Sequence, residues 1–313
     1  MRGVTAPSPT LALPGAVPAD GIDAGVPAHY GDPFREQQAL LAGTGVVDLS
    51  HRGVVRISGP DRLGWLHSLT TQYLEGLPPY QRTTTLVLSP QGHVEHAMSG
   101  YDDGEAFWAQ VEPGEAPSLV GWLDSMRFMM RVEVADVTEE WAAVAPGAET
   151  VDLVRRSELS GAMSATPCGV WAFEALRIAR GEARLGLDTE HRAIPNEMGW
   201  LGSAVHLDKG CYRGQETVAR VHTLGRPPRR LTLLHLDGSE NRLPTLGAEL
   251  MAGDKVVGFV GTSARHHELG PIALAVVKRN VPLDQQLEVD GLPAAQEVLV
   301  DPEVGLHVRP RLT

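Results

Sequence analysis

The chain has 313 residues, 42% of them hydrophobic and 21% charged, with 39 Asp plus Glu against 27 Lys plus Arg for a formal net charge of −12. That balance excludes a wholly disordered or fibrous chain, allows two or three globular domains with a substantial core, and argues against general electrostatic affinity for nucleic acid or an anionic membrane. No apolar run approaches the roughly 20 residues of a membrane span, and Pro and Gly interrupt the N-terminus where a signal peptide needs a continuous apolar core, so the expected location is the cytoplasm.

Residues 1–28 are rich in Pro, Ala and Gly without periodicity, and the expectation is a disordered tail. Pro33 suits the first turn of a short helix through Leu41, ended by Gly43-Thr44-Gly45. Val46–Ser50 and Val54–Ile57 read as strands, the second closed by the turn Ser58-Gly59-Pro60-Asp61. Beyond it Leu63, Leu66, Leu69 and Tyr73 recur at helical spacing. Thr83–Leu88 and His93–Tyr101 flank Ser89-Pro90-Gln91-Gly92 as a hairpin, and Phe107–Val111 adds a strand. Leu119, Trp122, Leu123 and Met126 share a helical face, and Val132–Val137 alternates as a half-buried strand should. Trp141–Ala145 is a further strand, Trp171–Arg180 a helix, and Pro195–Leu201 irregular. From Arg229 on, short β-type runs divided by Gly, Pro and Asp predict a small all-β barrel or sandwich over 228–313. Mixed helices and hairpins argue for α+β with antiparallel sheets, and no Gly-x-Gly-x-x-Gly follows a strand to suggest a parallel nucleotide-binding fold.

The densest chemistry lies in Lys209-Gly210-Cys211-Tyr212-Arg213-Gly214-Gln215-Glu216-Thr217-Val218-Ala219-Arg220. Gly210 and Gly214 free the backbone on both sides of Cys211 for unusual dihedrals and close approach. Gln215–Thr223 reads as a helix with Glu216 and Arg220 paired at i,i+4 and a stop at Gly225. Cys211 just ahead of that helix, with Lys209 and Arg213 nearby, would favour thiolate and suit a nucleophile or a soft ligand. The bland reading is a buried, inert cysteine, but charged, glycine-bracketed flanks favour the functional one. The other cysteine is Cys168, and two thiols are too few for a disulfide framework, a structural zinc or an iron–sulfur cluster held by one chain. They point to a reducing compartment and to no disulfide between them. His93-x-Glu95-His96 has the look of a zinc-deaminase ligand set. Cys168 lacks the second cysteine such a site requires, so no metal site is expected.

Lys-Gly-Cys-Tyr-x-Gly-Gln-Glu followed by Val218-Ala219-Arg220 resembles the signature of the YgfZ-type folate-binding proteins, relatives of the glycine-cleavage T-protein, an aminomethyltransferase. Gly45–His51, Ile57–Asp61 and Ala175–Gly181 are similar to T-protein segments, so the resemblance runs from about residue 33 to the end. It implies an α+β, T-protein-like fold: two interleaved antiparallel α+β modules over 29–227, with 57–137 as the inserted one, and a C-terminal β-barrel domain over 228–313. Two departures separate the chain from T-proteins: Ala179 stands where they carry a pterin-binding Glu, and His93-Val94-Glu95-His96-Ala97 follows Gly92 where they carry a catalytic Asp pair.

The implied cofactor is tetrahydrofolate or a derivative. Such a ligand needs a carboxylate or amide for the pterin edge, an apolar slot and a cation for its glutamate tail. Glu197 or Gln215 are candidates for the first, Trp200, Leu88 and Met98 for the second, and Arg229 or Arg230 for the third, with Arg230 best placed by resemblance to the arginine opening the last T-protein domain. The resemblance further implies an accessory role toward iron–sulfur enzymes or their assembly proteins, met transiently, and through them tRNA modification; in that role the expected reactive group is Cys211, activated by Lys209 and the adjoining helix N-terminus. One-carbon transfer of T-protein type is the alternative, and a thiol-bearing module without folate the blandest one.

Overall fold

The computed structural model describes residues 7–306. In chain order its helices are α1 (Pro33–Leu41), α2 (Arg62–Leu69), α3 (Ala116–Ser125), α4 (Leu159–Ala162), α5 (Val170–Ala179) and α6 (Gln215–Thr223). Strands β1 (Val17–Pro18) and β2 (Pro27–His29) pair near the start. Strands β3 (Gly45–Asp48), β4 (Gly53–Ser58), β5 (Thr83–Leu88), β6 (Val94–Asp102), β7 (Ala106–Val111), β8 (Glu133–Asp136), β9 (Trp141–Pro146), β10 (Asp152–Arg155) and β11 (Thr166–Cys168) follow. Strands β12 (Arg229–Leu236), β13 (Glu249–Ala252), β14 (Lys255–His266), β15 (Gly270–Lys278), β16 (Leu287–Val289) and β17 (Leu292–Val298) complete the set.

Three larger sheets result: β10-β9-β3-β11, β5-β6-β7-β4-β8, and a closed barrel β12-β15-β14-β13-β16-β17. All the barrel's pairs are antiparallel, and β12 against β17 closes it, which leaves the barrel without a free edge. The fold is therefore α+β with antiparallel sheets and a C-terminal barrel. Strand β11 runs parallel to β3.

The chain divides into two compact units, cut within α2, β5, β6 and α5. The first comprises the chain up to Trp65, Glu75–Thr83 and Met98–Arg177; the second comprises Leu66–Leu74, Thr84–Ala97 and everything from Ile178. In the first unit Val47, Leu49, Ala143, Ala145, Cys168, Phe173 and Leu176 form a core under β3 and α5. Two cores of the second unit stand out among the described residues. One fills the barrel with Leu234, Leu236, Leu250, Val260, Val277 and Val289, and the other joins the β5–β6 hairpin to the cysteine motif and α6 through Leu86, Leu88, Val94, Val205, Tyr212 and Val218.

The N-terminal segment corrects the sequence reading. Residues 1–6, part of the expected tail, lie outside the described residues, but from Ser8 on the chain is packed against the first unit. Val26 and Ala28 are fully buried. The hydroxyls of Ser8 and Thr10 both donate to the Asp48 carboxylate, Thr10 at 2.5 Å, and Tyr30 N donates to Glu36 at 2.7 Å. Asp23 bonds the buried His51 ring at 3.0 Å. Short polar anchors replace a hydrophobic stripe here, and periodicity cannot register them.

Smaller differences have local causes. Helix α2 stops at Leu69 rather than running to Tyr73, because the carbonyls of its last turn are taken by a side chain from far along the chain. Strands β10, β11 and β13 are three or four residues long and carry no alternation visible against their surroundings.

Candidate functional site: the cysteine motif and its frame

The second unit brings three stretches distant in sequence against the motif. Thr71, just past α2, exchanges bonds with β5: its N donates to Leu86 O at 3.0 Å and its Oγ1 accepts from Leu86 N at 2.9 Å. The same Oγ1 donates to Ala204 O at 2.7 Å, and His206 N donates to Thr71 O at 3.0 Å. Lys209 then completes the frame. Its Nζ donates to the carbonyls of His67 (2.5 Å), Thr70 (2.6 Å) and Gln72 (3.1 Å) and lies 5.3 Å from the centre of the Tyr212 ring. Burial pushes this ammonium down to about 8, against the pull of three carbonyl dipoles toward the charged form. The cation expected to stand beside the Cys211 thiol is thus turned to the end of α2.

The two motif glycines are not equivalent. Gly214 is left-handed at φ +79°, caps α6, and meets the hairpin tip so closely that a Cβ there would stand 2.9 Å from Gly92 Cα. Gly92, at φ +83°, would in turn place a Cβ 2.7 Å from the Thr217 Cβ. Gly210 has no positive φ and faces open space, so the unusual backbone expected on both sides of Cys211 exists only on one. Cys211 itself is exposed and its thiol free. It precedes Gln215, the first residue of α6, by one turn of chain in which Gln215 N donates to Tyr212 O at 3.2 Å. The Gln215 amide donates to Lys209 O at 3.4 Å, and Arg220 bonds Glu216 at 2.5 Å as the i,i+4 spacing required. Arg213 donates to Glu95 at 2.8 Å, so the carboxylate of the stretch after Gly92 is paired with the motif's own arginine. Burial pushes the Tyr212 hydroxyl up to about 12.

The expected folate contacts fall in different surroundings. Leu88 is buried in the hairpin–motif core, with Trp200 packed against its edge. Met98 is fully buried in the first unit. Glu197 lies on a single 3-10 turn, Pro195–Met198, and is completely buried. Arg229 grips it with two parallel bonds, Nε to Oε1 at 2.8 Å and Nη2 to Oε2 at 2.9 Å, and its Nη1 reaches Glu190. Arg230 is also fully buried: Nη2 donates to Gln296 at 2.7 Å and to Val281 O at 3.3 Å, and the other two guanidinium nitrogens have no partner among the described residues. Burial lowers its pKa. Of the adjacent arginines, Arg229 therefore shows a cationic face to the outside, while Arg230 belongs to the barrel.

Sequence reasoning missed Glu190 and Asn196. Asn196 donates to Val218 O at 3.3 Å, which ties the 3-10 turn to α6, and its buried Oδ1 has no hydrogen-bond partner among the described residues. Pro195 ahead of Asn-Glu was the available sign of a tight polar turn. Glu197 accepts both Arg229 bonds and the Ile194 N–H at 3.3 Å, which leaves Asn196 Oδ1 as the open acceptor of this turn, near the half-buried Trp200. Among the described residues no three His, Cys, Asp or Glu side chains gather as metal ligands.

Cys168 is a different kind of thiol. It is buried and free, 3.5 Å from Glu36 O, and burial with the nearby Glu36 charge pushes it up to about 12.

Comparison with known proteins places this geometry. Residues 25–158 match the GCVT N-terminal domain. The chain is 27% identical over 301 residues to a chloroplastic protein of Arabidopsis thaliana named as a transferase, covering 79% of this chain and 69% of that one. It is 24% identical over 324 residues to an aminomethyltransferase of a Nostoc species, covering 85% of each. The crystal structure of the glycine cleavage system aminomethyltransferase T of Bartonella henselae superposes with a TM-score of 0.75 at 16% identity, over 91% of this chain and 94% of that one. Residues 25–158 are thus similar to the GCVT N-terminal domain, and the chain as a whole shares the fold of that aminomethyltransferase structure.

Proposed function

We propose that this chain binds a reduced folate and acts as an accessory protein of the YgfZ type in the cytoplasm, offering Cys211 to iron–sulfur enzymes or their assembly proteins and, through them, supporting tRNA modification. The observation that carries the reading is the contact of Gly92 with Gly214, because it sets the hairpin tip against the cysteine motif. T-proteins, by the resemblance, carry their catalytic acids just after that glycine. Here the stretch offers His93 and Glu95, and Glu95 is committed to Arg213. An exposed thiol is the reactive group this frame presents instead. When bound, a reduced folate would supply nucleophilic pterin nitrogens able to accept or hold a one-carbon unit. Glu197 and Asn196 would take its pterin edge, Trp200 its ring face and Arg229 its carboxylate tail. The Glu197–Arg229 pair would have to open for this, since each now satisfies the other.

Aminomethyl transfer to tetrahydrofolate is the second reading, favoured by relatives that carry that name over 85% of both chains. Titration with tetrahydrofolate, followed by tryptophan fluorescence, and an assay of methylene transfer from an aminomethylated carrier protein separate the two. Saturable binding without turnover supports the accessory role. Turnover supports the transferase, and absence of binding removes both.

A further inference from the structure

We propose that Lys209 is a positioning residue, a clamp that fixes the Cys211 segment to the C-terminal end of α2, and that it does not activate the thiol. This goes beyond the folate reading and does not rest on it. A helix ends with carbonyl groups that lack partners inside the helix and with the negative end of its dipole, and a cation there is stabilised by both. Helix α2 ends at Leu69, and the His67, Thr70 and Gln72 carbonyls converge on one point.

An ammonium has three N–H donors, and Lys209 has three carbonyl acceptors within 3.1 Å. None is left over for a thiolate or a ligand. The side chain is buried, and Tyr212, on the far side of Cys211 in the motif, turns its ring toward the same ammonium. Lys209 and Tyr212 are thus both held inward while Cys211 between them faces out. The bonds link residues 137 to 142 apart in sequence, so the clamp ties the motif to a part of the fold laid down far earlier. Arginine cannot substitute, because a planar fork does not direct three donors from one atom.

The chain has three lysines, Lys209, Lys255 and Lys278, which makes the amine readable in the unaltered protein. Reductive methylation of the native chain, followed by peptide mass spectrometry, is expected to modify Lys255 and Lys278 and leave Lys209 at least tenfold slower. Equal rates at all three would overturn the clamp. The second arm is the pH profile of iodoacetamide alkylation at Cys211. Lys209→Met is expected to leave its midpoint in place while amide hydrogen exchange at residues 70–74 and 208–213 rises at least tenfold and the barrel amides stay unchanged. A midpoint moved upward by about one unit, the shift a neighbouring activating cation would cause on removal, refutes the proposal. So does unchanged exchange in both segments. Should Lys209→Met fail to fold, the methylation of the wild-type chain still decides.

Discussion

Gly92 and Gly214 approach each other with left-handed backbones on both sides and no room for a methyl group between them. Alanine at either position must adopt a φ that L-residues resist and must also displace backbone. Gly214→Ala and Gly92→Ala are each expected to cost about 3 kcal/mol. Gly210→Ala, four residues before Gly214 but facing open space, is expected to be near neutral. Urea unfolding of the three variants checks the contrast.

Arg229 and Glu197 form a two-point ion pair whose carboxylate is completely buried. Removing one partner strands the other charge. Arg229→Met is therefore expected to destabilise by about 3 kcal/mol, and Arg229→Met with Glu197→Gln to recover a substantial part of the loss, since the second change removes the stranded charge. A double-mutant cycle in denaturant measures the coupling, and additive losses would show that the pair does not stabilise the fold.

The two thiols differ in access. Cys211 is expected to react with a thiol reagent in the native protein, whereas Cys168, buried and held protonated to about 12, reacts only after unfolding. Counting modified cysteines without and with denaturant gives one against two.

Three buried acids should weaken the protein at alkaline pH, opposed between about 8 and 10.5 by Lys209, whose proton the unfolded chain keeps longer than the folded one. Burial raises Cys168 from 9.0 to about 12, and Tyr30 and Tyr212 from 10.0 to about 12. In the unfolded chain these groups lose their protons near 9 to 10, while the folded chain holds them. At these three groups the unfolded state thus binds fewer protons across this window, and their share of the stability falls as pH rises. The contribution is intact below pH 9 and is lost progressively toward pH 12. Melting temperatures between pH 7 and 11 test the direction, and Cys168→Ala should flatten the first part of the fall.

Residues 7–30 are expected to matter for stability. Deleting the chain up to residue 28 removes buried Val26 and Ala28 and leaves Asp48 without the two hydroxyls that hold its carboxylate. A loss of several kcal/mol follows, on the order of 1.5 for each hydrogen bond to a buried charge. A melting temperature unchanged by the deletion would refute it.

The sequence carried the fold class because long alternating runs and helical spacings mark the elements with one wet face. The C-terminal barrel and the hairpin around Gly92 are examples. It carried the cysteine motif as a linear cluster, yet not the partners of Lys209, because the carbonyls that bind its ammonium belong to residues 67–72, far from it along the chain. Ser8 and Thr10 were illegible for a related reason: one hydroxyl bonded to one distant carboxylate has no periodicity. Arg229 and Arg230 are adjacent and chemically identical, and only the pleat of β12 decides that one pairs with Glu197 while the other is enclosed beside Gln296.

The second unit is assembled from three separated pieces of chain, and its Thr71 bonds both Leu86 and Ala204. Contacts of that span set a kinetic order. As the chain emerges from a ribosome, the turn after α2 and the hairpin must wait, with their acceptors open, until residues 204–209 arrive more than a hundred positions later. Loop closure over such distances is slow, and surfaces left waiting invite association with other chains. Refolding from denaturant should therefore be slow compared with a domain of local topology, and during synthesis the second unit should stay unformed in chains stalled between Arg177 and Lys209.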